Sequence, residues 1–280
     1  MPDRINSRNN RKGSIGVFDS GFGGLNILRE IIKELPEYNY LYFGDTARAP
    51  YGNRSQKVIL NFTKQAIDFL FAQKCELIIL ACNTASSMAL REIQQQYLPK
   101  YYPKKRVLGV IIPTVETVVA QKNKNIGVIG TEGTIFSDVF KKEITKLNPK
   151  INVFQHACPL LVPIIETGRQ DSKMADMAIK DCLKPLLLKN IDVLILGCTH
   201  YGLLEKKIKN ITGKKIKIMA EGKIVAKKLK NYLHRHQEIE KVLAKNSKQR
   251  FFTTDLTNRF EVLGSQFFGE KIKPEKTMLE

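Results

Sequence analysis

Two cysteines stand where a strand-like apolar run gives way to small polar residues. ELIILACNTAS (Glu76 to Ser86) delivers Cys82 with Asn83 and Thr84 behind it, and DVLILGCTHY (Asp192 to Tyr201) delivers Cys198 with Thr199 and His200. A thiol with an intrinsic pKa near ~8.5 can be tuned downward by nearby donors or cations, so it can give or take a proton close to neutrality. One such group cannot invert a stereocentre, because it returns the proton to the face it came from. Two groups on opposite faces can, one accepting and one donating. Because that reaction runs both ways, their proton affinities must be similar. The polar residues beside each cysteine offer hydrogen-bond donors to a substrate carboxylate.

Strand-like runs alternate with amphipathic segments to position these thiols. SIGVFDS, NYLYFGD, ELIILAC, RVLGVII, NIGVIGT, INVFQHA, DVLILGC and KIKIMAE read as strands, with LNILREIIKEL, VILNFTKQAIDFLFAQ and SSMALREIQQQYL as helices among them. Continuous apolar strands separated by helices predict an α/β, doubly wound fold, its parallel sheet covered on both faces. An IGV strand entering a Gly-rich turn occurs twice, at Ile15 and Ile126, and each is followed by a cysteine-ended strand. Ile15 to Cys82 spans 67 residues and Ile126 to Cys198 spans 72. The repetition predicts two similar doubly wound lobes related by pseudo-twofold symmetry, with the active site in the cleft at the carboxyl ends of the strands. The expected division is a disordered basic tail over residues 1–12, a first lobe over 13–106 and 218–280, and a second over 107–217. FFTTD, from Phe251, reads as a strand-like piece completing the first lobe.

Composition narrows the function classes. A chain of 280 residues with 43% hydrophobic content is long enough for a real core. No apolar run approaches the ~20 residues needed to span a bilayer, and MPDRINSRNNRKG lacks the apolar segment of a secretory signal, so the expectation is a cytoplasmic protein. The five cysteines show no C-x-x-C spacing and no disulfide framework; Cys75, Cys158 and Cys182 read as packing. No His/Cys/Asp spacing supports a metal site: His156 lacks ligand-like neighbours, and His234 and His236 flank Arg235 on a charged helix end. DSGFGG departs from G-x-G-x-x-G, and Asp19 ahead of its glycines would repel a pyrophosphate, so Gly21, Gly23 and Gly24 read as letting the turn approach a small ligand. The net charge is +19, of which Glu205 to Arg250 holds +11. Mostly lysine and spread along helix-like segments, it reads as a solvated surface whose positive field attracts a dicarboxylate, with nucleic-acid binding a secondary reading.

VFDSGFGGL, YFGDTARAPYG, ACNTAS, PTV, VIGTEGT, CPLLVPIIETG and GCTHY together resemble the glutamate racemases of bacterial cell-wall synthesis. The resemblance is dense over roughly residues 14 to 204 and looser through FFTTD. Its specific part is ACNTA followed by GCTHY; the other motifs are weak singly. It implies a homodimeric, cofactor-independent enzyme, without a metal, that interconverts L- and D-glutamate and supplies the D-enantiomer for peptidoglycan. By the same resemblance Cys82 and Cys198 are the paired acid and base, Asp19 assists the first thiol, and Glu166 and His200 serve the second. Substrate contacts are implied for Asp19, Ser20, Tyr51, Gly52, Asn83, Thr84, Thr114, Thr199 and His200. The chain departs from the family at Met219-Ala220-Glu221-Gly222-Lys223-Ile224, where a Ser-Gly or Asp-Ser turn followed by an acidic residue is usual. The expected consequence is confined to surface or hinge contacts. A racemase of aspartate and a cysteine hydrolase with one nucleophile are the competing enzyme readings.

Overall fold

The structure, a computed structural model, describes residues 12–279, so the tail expected over 1–12 lies almost wholly outside the described residues. The strands in chain order begin with β1 (Ser14–Asp19), β2 (Tyr40–Gly44), β3 (Cys75–Leu80), β4 (Arg106–Gly109) and β5 (Asn125–Gly130). They continue with β6 (Asn152–Ala157), β7 (Val193–Gly197), β8 (Lys217–Met219), β9 (Gln249–Thr253) and β10 (Pro274–Lys276). All pairings are parallel, in a six-stranded sheet of order β10-β9-β2-β1-β3-β4 and a four-stranded sheet of order β6-β5-β7-β8. The second order repeats the β2-β1-β3-β4 core of the first, so the sequence repetition reappears as topology. β3 and β7 are the equivalent strands, and a cysteine follows each. The expected two-lobe α/β architecture is the one observed.

Side-chain alternation explains why the strands are continuously apolar. Ile15 and Val17 of β1, with Leu77 and Ile79 of β3, enter one core, whereas Phe18, Ile78 and Leu80 enter the core on the other face. A strand with both faces covered has no position to spare for a polar residue. Helix Gly24–Glu34 buries Leu25, Ile27, Leu28 and Ile31 along one stripe, each contributing roughly 1.5–3 kcal/mol. It packs along helix Glu221–Arg235, which buries Val225, Ala226, Leu229 and Leu233. The first of these helices follows β1 and the second follows β8, so the pair bridges the two sheets. The core around Ile15 and Val17 runs on without a break to Ile126, Val128 and Leu194 of the second sheet.

Several expectations need correction. The strand expected over RVLGVII stops at Gly109, and Ile111–Val119 is a helix. Pro113 lies in its first turn, where the missing N–H breaks no intrahelical bond. The expected lobe divisions at 106/107 and 217/218 fall inside β4 and β8; keeping both sheets whole moves them to after Gly109 and after Met219. Cys158 and Cys182, read as packing thiols, are joined in a disulfide with their Cα atoms 5.6 Å apart. Helix Lys173–Leu187, which carries Cys182, packs against β6, and Cys158 follows that strand. A packing cysteine and half of such a pair look alike in sequence. Cys75 is a free thiol buried at the start of β3, as read. Among the described residues no helix is long and apolar enough to cross a membrane.

Candidate active site

Phe18 of β1 pairs with Leu80 of β3, so Asp19, Ser20 and Cys82 leave the first sheet side by side. Gly130 of β5 pairs with Gly197 of β7 and delivers Thr131 beside Cys198 in the same way. In both sheets this is where the strand order reverses, the usual location of a ligand site in open α/β sheets. The two strand ends face one cavity lined by Ser20, Gly21, Ala49, Pro50, Tyr51, Gly52, Cys82, Asn83, Thr84, Thr131, Val162, Glu166, Cys198, Thr199 and His200. Its volume is about 30 Å³, far smaller than an ordinary ligand pocket.

On the first side Cys82 caps the short helix Asn83–Met88, its Sγ accepting from the Ala85 N–H at 3.5 Å. Ser20 Oγ lies 3.3 Å from the same sulfur. Asp19 is fully buried; Oδ2 accepts from the Gly21 N–H at 2.9 Å and Oδ1 from the Thr199 hydroxyl at 3.3 Å. Burial pushes its carboxyl above the ordinary range, against the pull of His200 and the hydrogen bonds from Gly21, Gly24 and Thr199. Burial, then the charge of Asp19, pushes the Cys82 thiol up to about 12 despite its contacts with Ser20 and Ala85. Nearby donors can tune a thiol downward, but here the shift runs the other way. Enclosure and a carboxyl neighbour outweigh the two donors.

On the second side Cys198 Sγ is 3.9 Å from His200 Nδ1, and His200 Nε2 is 3.1 Å from Glu166 Oε1. Burial disfavours the imidazolium, but the bonds and charges of Cys198 and Glu166 prevail and raise His200 to about 10. Glu166 closes helix Leu161–Glu166, while Tyr201 donates to the Cys158 carbonyl at 2.9 Å and pins the Cys-Thr-His turn to the segment ahead of that helix. A Cβ on Gly23 would lie 2.2 Å from Thr199 Oγ1 and 2.8 Å from His200 Nδ1. That glycine admits the opposite lobe's turn, whereas the sequence reading had it approaching a ligand; Gly21 is the one that lines the cavity.

Other candidates are placed as follows. Tyr51 lines the cavity with its hydroxyl donated to buried Asp45, which also accepts from Arg48 Nε at 2.7 Å and from the Thr254 hydroxyl at 2.9 Å. Thr84 and Thr131 bring their hydroxyls to 2.9 Å across the cleft, and the Gly133 N–H donates to the Gly52 carbonyl at 2.8 Å beside them. Thr114 does not line the cavity; buried in its helix, it donates to the Val110 carbonyl at 2.9 Å and stands 3.5 Å from Glu221 Oε1. Thr131, Asp45 and Glu221 were missed. Thr131 had a signal, since it caps the helix after the second Gly-rich turn just where a Thr belongs. Asp45 directly follows β2 in the YFGD motif, and nothing in its sequence neighbourhood sets it apart from an ordinary strand-end carboxylate. Glu221 is buried and accepts from Asn83 Nδ2 at 2.7 Å, so the segment read as making surface or hinge contacts reaches a residue of the site. Among the described residues no cluster of His, Cys, Asp and Glu could hold a metal ion.

Residues 15–227 match the family described as Asp/Glu/Hydantoin racemase. The chain is 38% identical over 261 residues to a glutamate racemase of Geobacter metallireducens, covering 92% of this chain and 94% of that protein. Glutamate racemase isoform RacE1 from Bacillus anthracis has the same fold at a TM-score of 0.87, with 35% identity over 96% of this chain and 98% of the other. The glutamate racemase of Francisella tularensis, solved in complex with D-glutamate, also gives 0.87, with 34% identity over 97% and 99% of the two chains. The thiol pair, the repeated sheet and these similarities agree: the chain belongs to the Asp/Glu/hydantoin racemase family, among its glutamate racemases.

Proposed function

We propose that the protein interconverts L- and D-glutamate by passing the α-proton between Cys82 and Cys198, and that the D-glutamate formed feeds peptidoglycan synthesis. The observation that carries the mechanism is the convergence of two thiols, from equivalent strands of a repeated sheet, on one enclosed cavity. One thiolate removes the α-proton, leaving a planar carbanion conjugated with the α-carboxylate. The thiol on the opposite face then delivers a proton and inverts the centre. Cys82, kept protonated by burial and Asp19, is the ready donor in the ligand-free protein. His200, backed by Glu166, stands where it can hold the proton that leaves Cys198. In the reverse direction the roles exchange, with Asp19 assisting at Cys82, and a substrate ammonium near Asp19 would offset the charge that disfavours the Cys82 thiolate. Both steps are proton transfers carried by this chain's own side chains and call on no cofactor. Ser20, Thr84 and Thr199 offer hydroxyls to the substrate carboxylates, and the positive field of the +19 chain attracts a dicarboxylate.

The test is incubation with L-glutamate in deuterated water without pyridoxal phosphate, following optical rotation and deuterium at Cα. Rotation should decay to zero while deuterium enters. Cys82→Ala or Cys198→Ala should slow racemisation by at least about 10²-fold, the usual loss when a positioned acid or base is removed. Decay with aspartate but not glutamate would change the substrate. No exchange with any acidic amino acid would overturn the enzyme reading.

A further inference from the structure

Glu221 opens helix Glu221–Arg235 directly after β8, and the two-thiol scheme makes no use of it. Its carboxyl is buried, which is costly without partners, so the partners carry information. Oε2 accepts from Asn83 Nδ2 at 2.7 Å, and Oε1 stands 3.5 Å from the Thr114 hydroxyl, whose proton is directed to the Val110 carbonyl at 2.9 Å. Asn83 adjoins Cys82 and lines the cavity between the thiols, while Glu221 and Cys198 line a second small space that meets that cavity at Cys198 and Thr199. Glu221 therefore lies between the two halves of the site. Burial raises its carboxyl to about 8, so near neutrality it adds little negative charge beside the thiols.

An asparagine amide has two distinct ends, and here one is taken. Asn83 Nδ2 is committed to Glu221, whereas Oδ1 is buried without a hydrogen-bond partner among the described residues. The hydroxyls around the cavity can serve carboxylates, but Oδ1 can only accept. At neutral pH the sole donor on glutamate is its α-ammonium. Asp19 and Glu166 each already accept, from Gly21, Thr199 and His200, whereas Asn83 Oδ1 accepts from no group among the described residues, so it can join Asp19 at the ammonium. We infer that Glu221 is a positioning residue: by holding Asn83 Nδ2 it fixes the amide in one orientation and leaves Oδ1 to receive the α-ammonium of the substrate. The inference rests on the racemase reading for its ligand, but not for the Glu221–Asn83 bond. The flipped amide, with a protonated Glu221 donating to Oδ1, would serve a substrate carboxylate instead.

Three readouts on Glu221→Ala and Glu221→Gln separate these cases. They are KM and kcat for L-glutamate, calorimetric binding of D-glutamate and of glutarate, and the side-chain amide signals of Asn83 in a ¹⁵N–¹H spectrum. Glutarate keeps both carboxylates and lacks the ammonium. Glu221→Ala should raise KM and the Kd for D-glutamate about tenfold, the loss of one charge-assisted hydrogen bond, with a smaller change in kcat. Its Kd for glutarate should stay that of the wild type, and the Asn83 amide should lose its protection from exchange. Glu221→Gln retains an acceptor for Nδ2 and should restore both the affinity and the protected amide. Equal weakening of glutarate and glutamate, unchanged D-glutamate binding in Glu221→Ala, or a glutamine variant as impaired as the alanine one would each overturn the assignment. A wild-type protein inert toward glutamate would instead overturn the racemase reading and the ligand half with it. The Asn83 signals would still decide whether Glu221 holds the amide.

Discussion

At Cys82 and Cys198 the same side chain meets two different environments. Cys82 faces Ser20 and the carboxyl of Asp19, and its proton is held tightly. Cys198 faces an imidazole whose far nitrogen is braced by Glu166. The two thiols therefore stand in unlike surroundings, a carboxyl beside one and an imidazole beside the other. His200 offers a direct test through stability. Its folded pKa is raised, from 6.5 to about 10, so folding takes up a proton and the benefit is complete below 6.5. That benefit disappears as pH rises through about 10. Urea unfolding of wild type and His200→Asn should therefore show a stability gap that is widest near pH 6 and narrows steadily toward pH 10; a gap that widens with pH would reverse the assignment.

Elements position the site through their ends. Asp19 ends β1, and Cys82, Thr131 and Cys198 follow β3, β5 and β7, each strand locked by core residues such as Phe18, Ile79 and Leu194. The turn from β1 into helix Gly24–Glu34 must also clear the opposite lobe. Gly23→Ala puts a methyl group against Thr199 and His200, and overpacking of this kind costs about 1–3 kcal/mol. A matching fall in the urea midpoint, with racemisation lost more than stability, is the expected outcome. The start of helix Glu221–Arg235 gives a second element-level prediction. A carboxyl raised from 4.5 to about 8 keeps its proton in the folded state, so its contribution is present below 4.5 and fades as pH rises through 8. Glu221→Gln should remove that decline, and parallel pH–stability curves for the two proteins would contradict the buried, raised carboxyl.

For the whole molecule, the closed cleft is the governing fact. A space of about 30 Å³ between the thiols is far below the few hundred Å³ of an ordinary ligand pocket, which predicts that the lobes part to admit glutamate. At one edge the lobes meet through the Thr84–Thr131 hydroxyl pair and the Gly133–Gly52 backbone bond, the contacts predicted to give way there. With those hydroxyls 2.9 Å apart, a Thr84→Cys, Thr131→Cys double variant is within reach of a disulfide across the cleft. Oxidised, it should neither bind D-glutamate nor racemise; reduced, the same protein should recover whatever activity the substitutions leave. Equal activity in both redox states would show that substrate enters without separation of this edge.

The sequence by itself determined the class of fold and which side chains stand at the strand ends. Apolar runs ending at Asp19, Cys82 and Cys198 specify buried parallel strands with reactive groups at their carboxyl ends, because local hydrophobic pattern and residue type are written directly in the chain. The duplication was legible for the same reason, as like strands in like order. Tertiary structure alone decided the rest. That Cys158 meets Cys182, that Gly23 clears Thr199, that Thr114 stands behind the cavity and that Glu221 reaches Asn83 are contacts between distant segments. Likewise the high proton affinity of Cys82 comes from enclosure beside Asp19, not from the residues adjoining it in sequence. Side-chain type specifies which chemistry is available; burial and long-range neighbours decide in which protonation state, and toward which partner, each group is held.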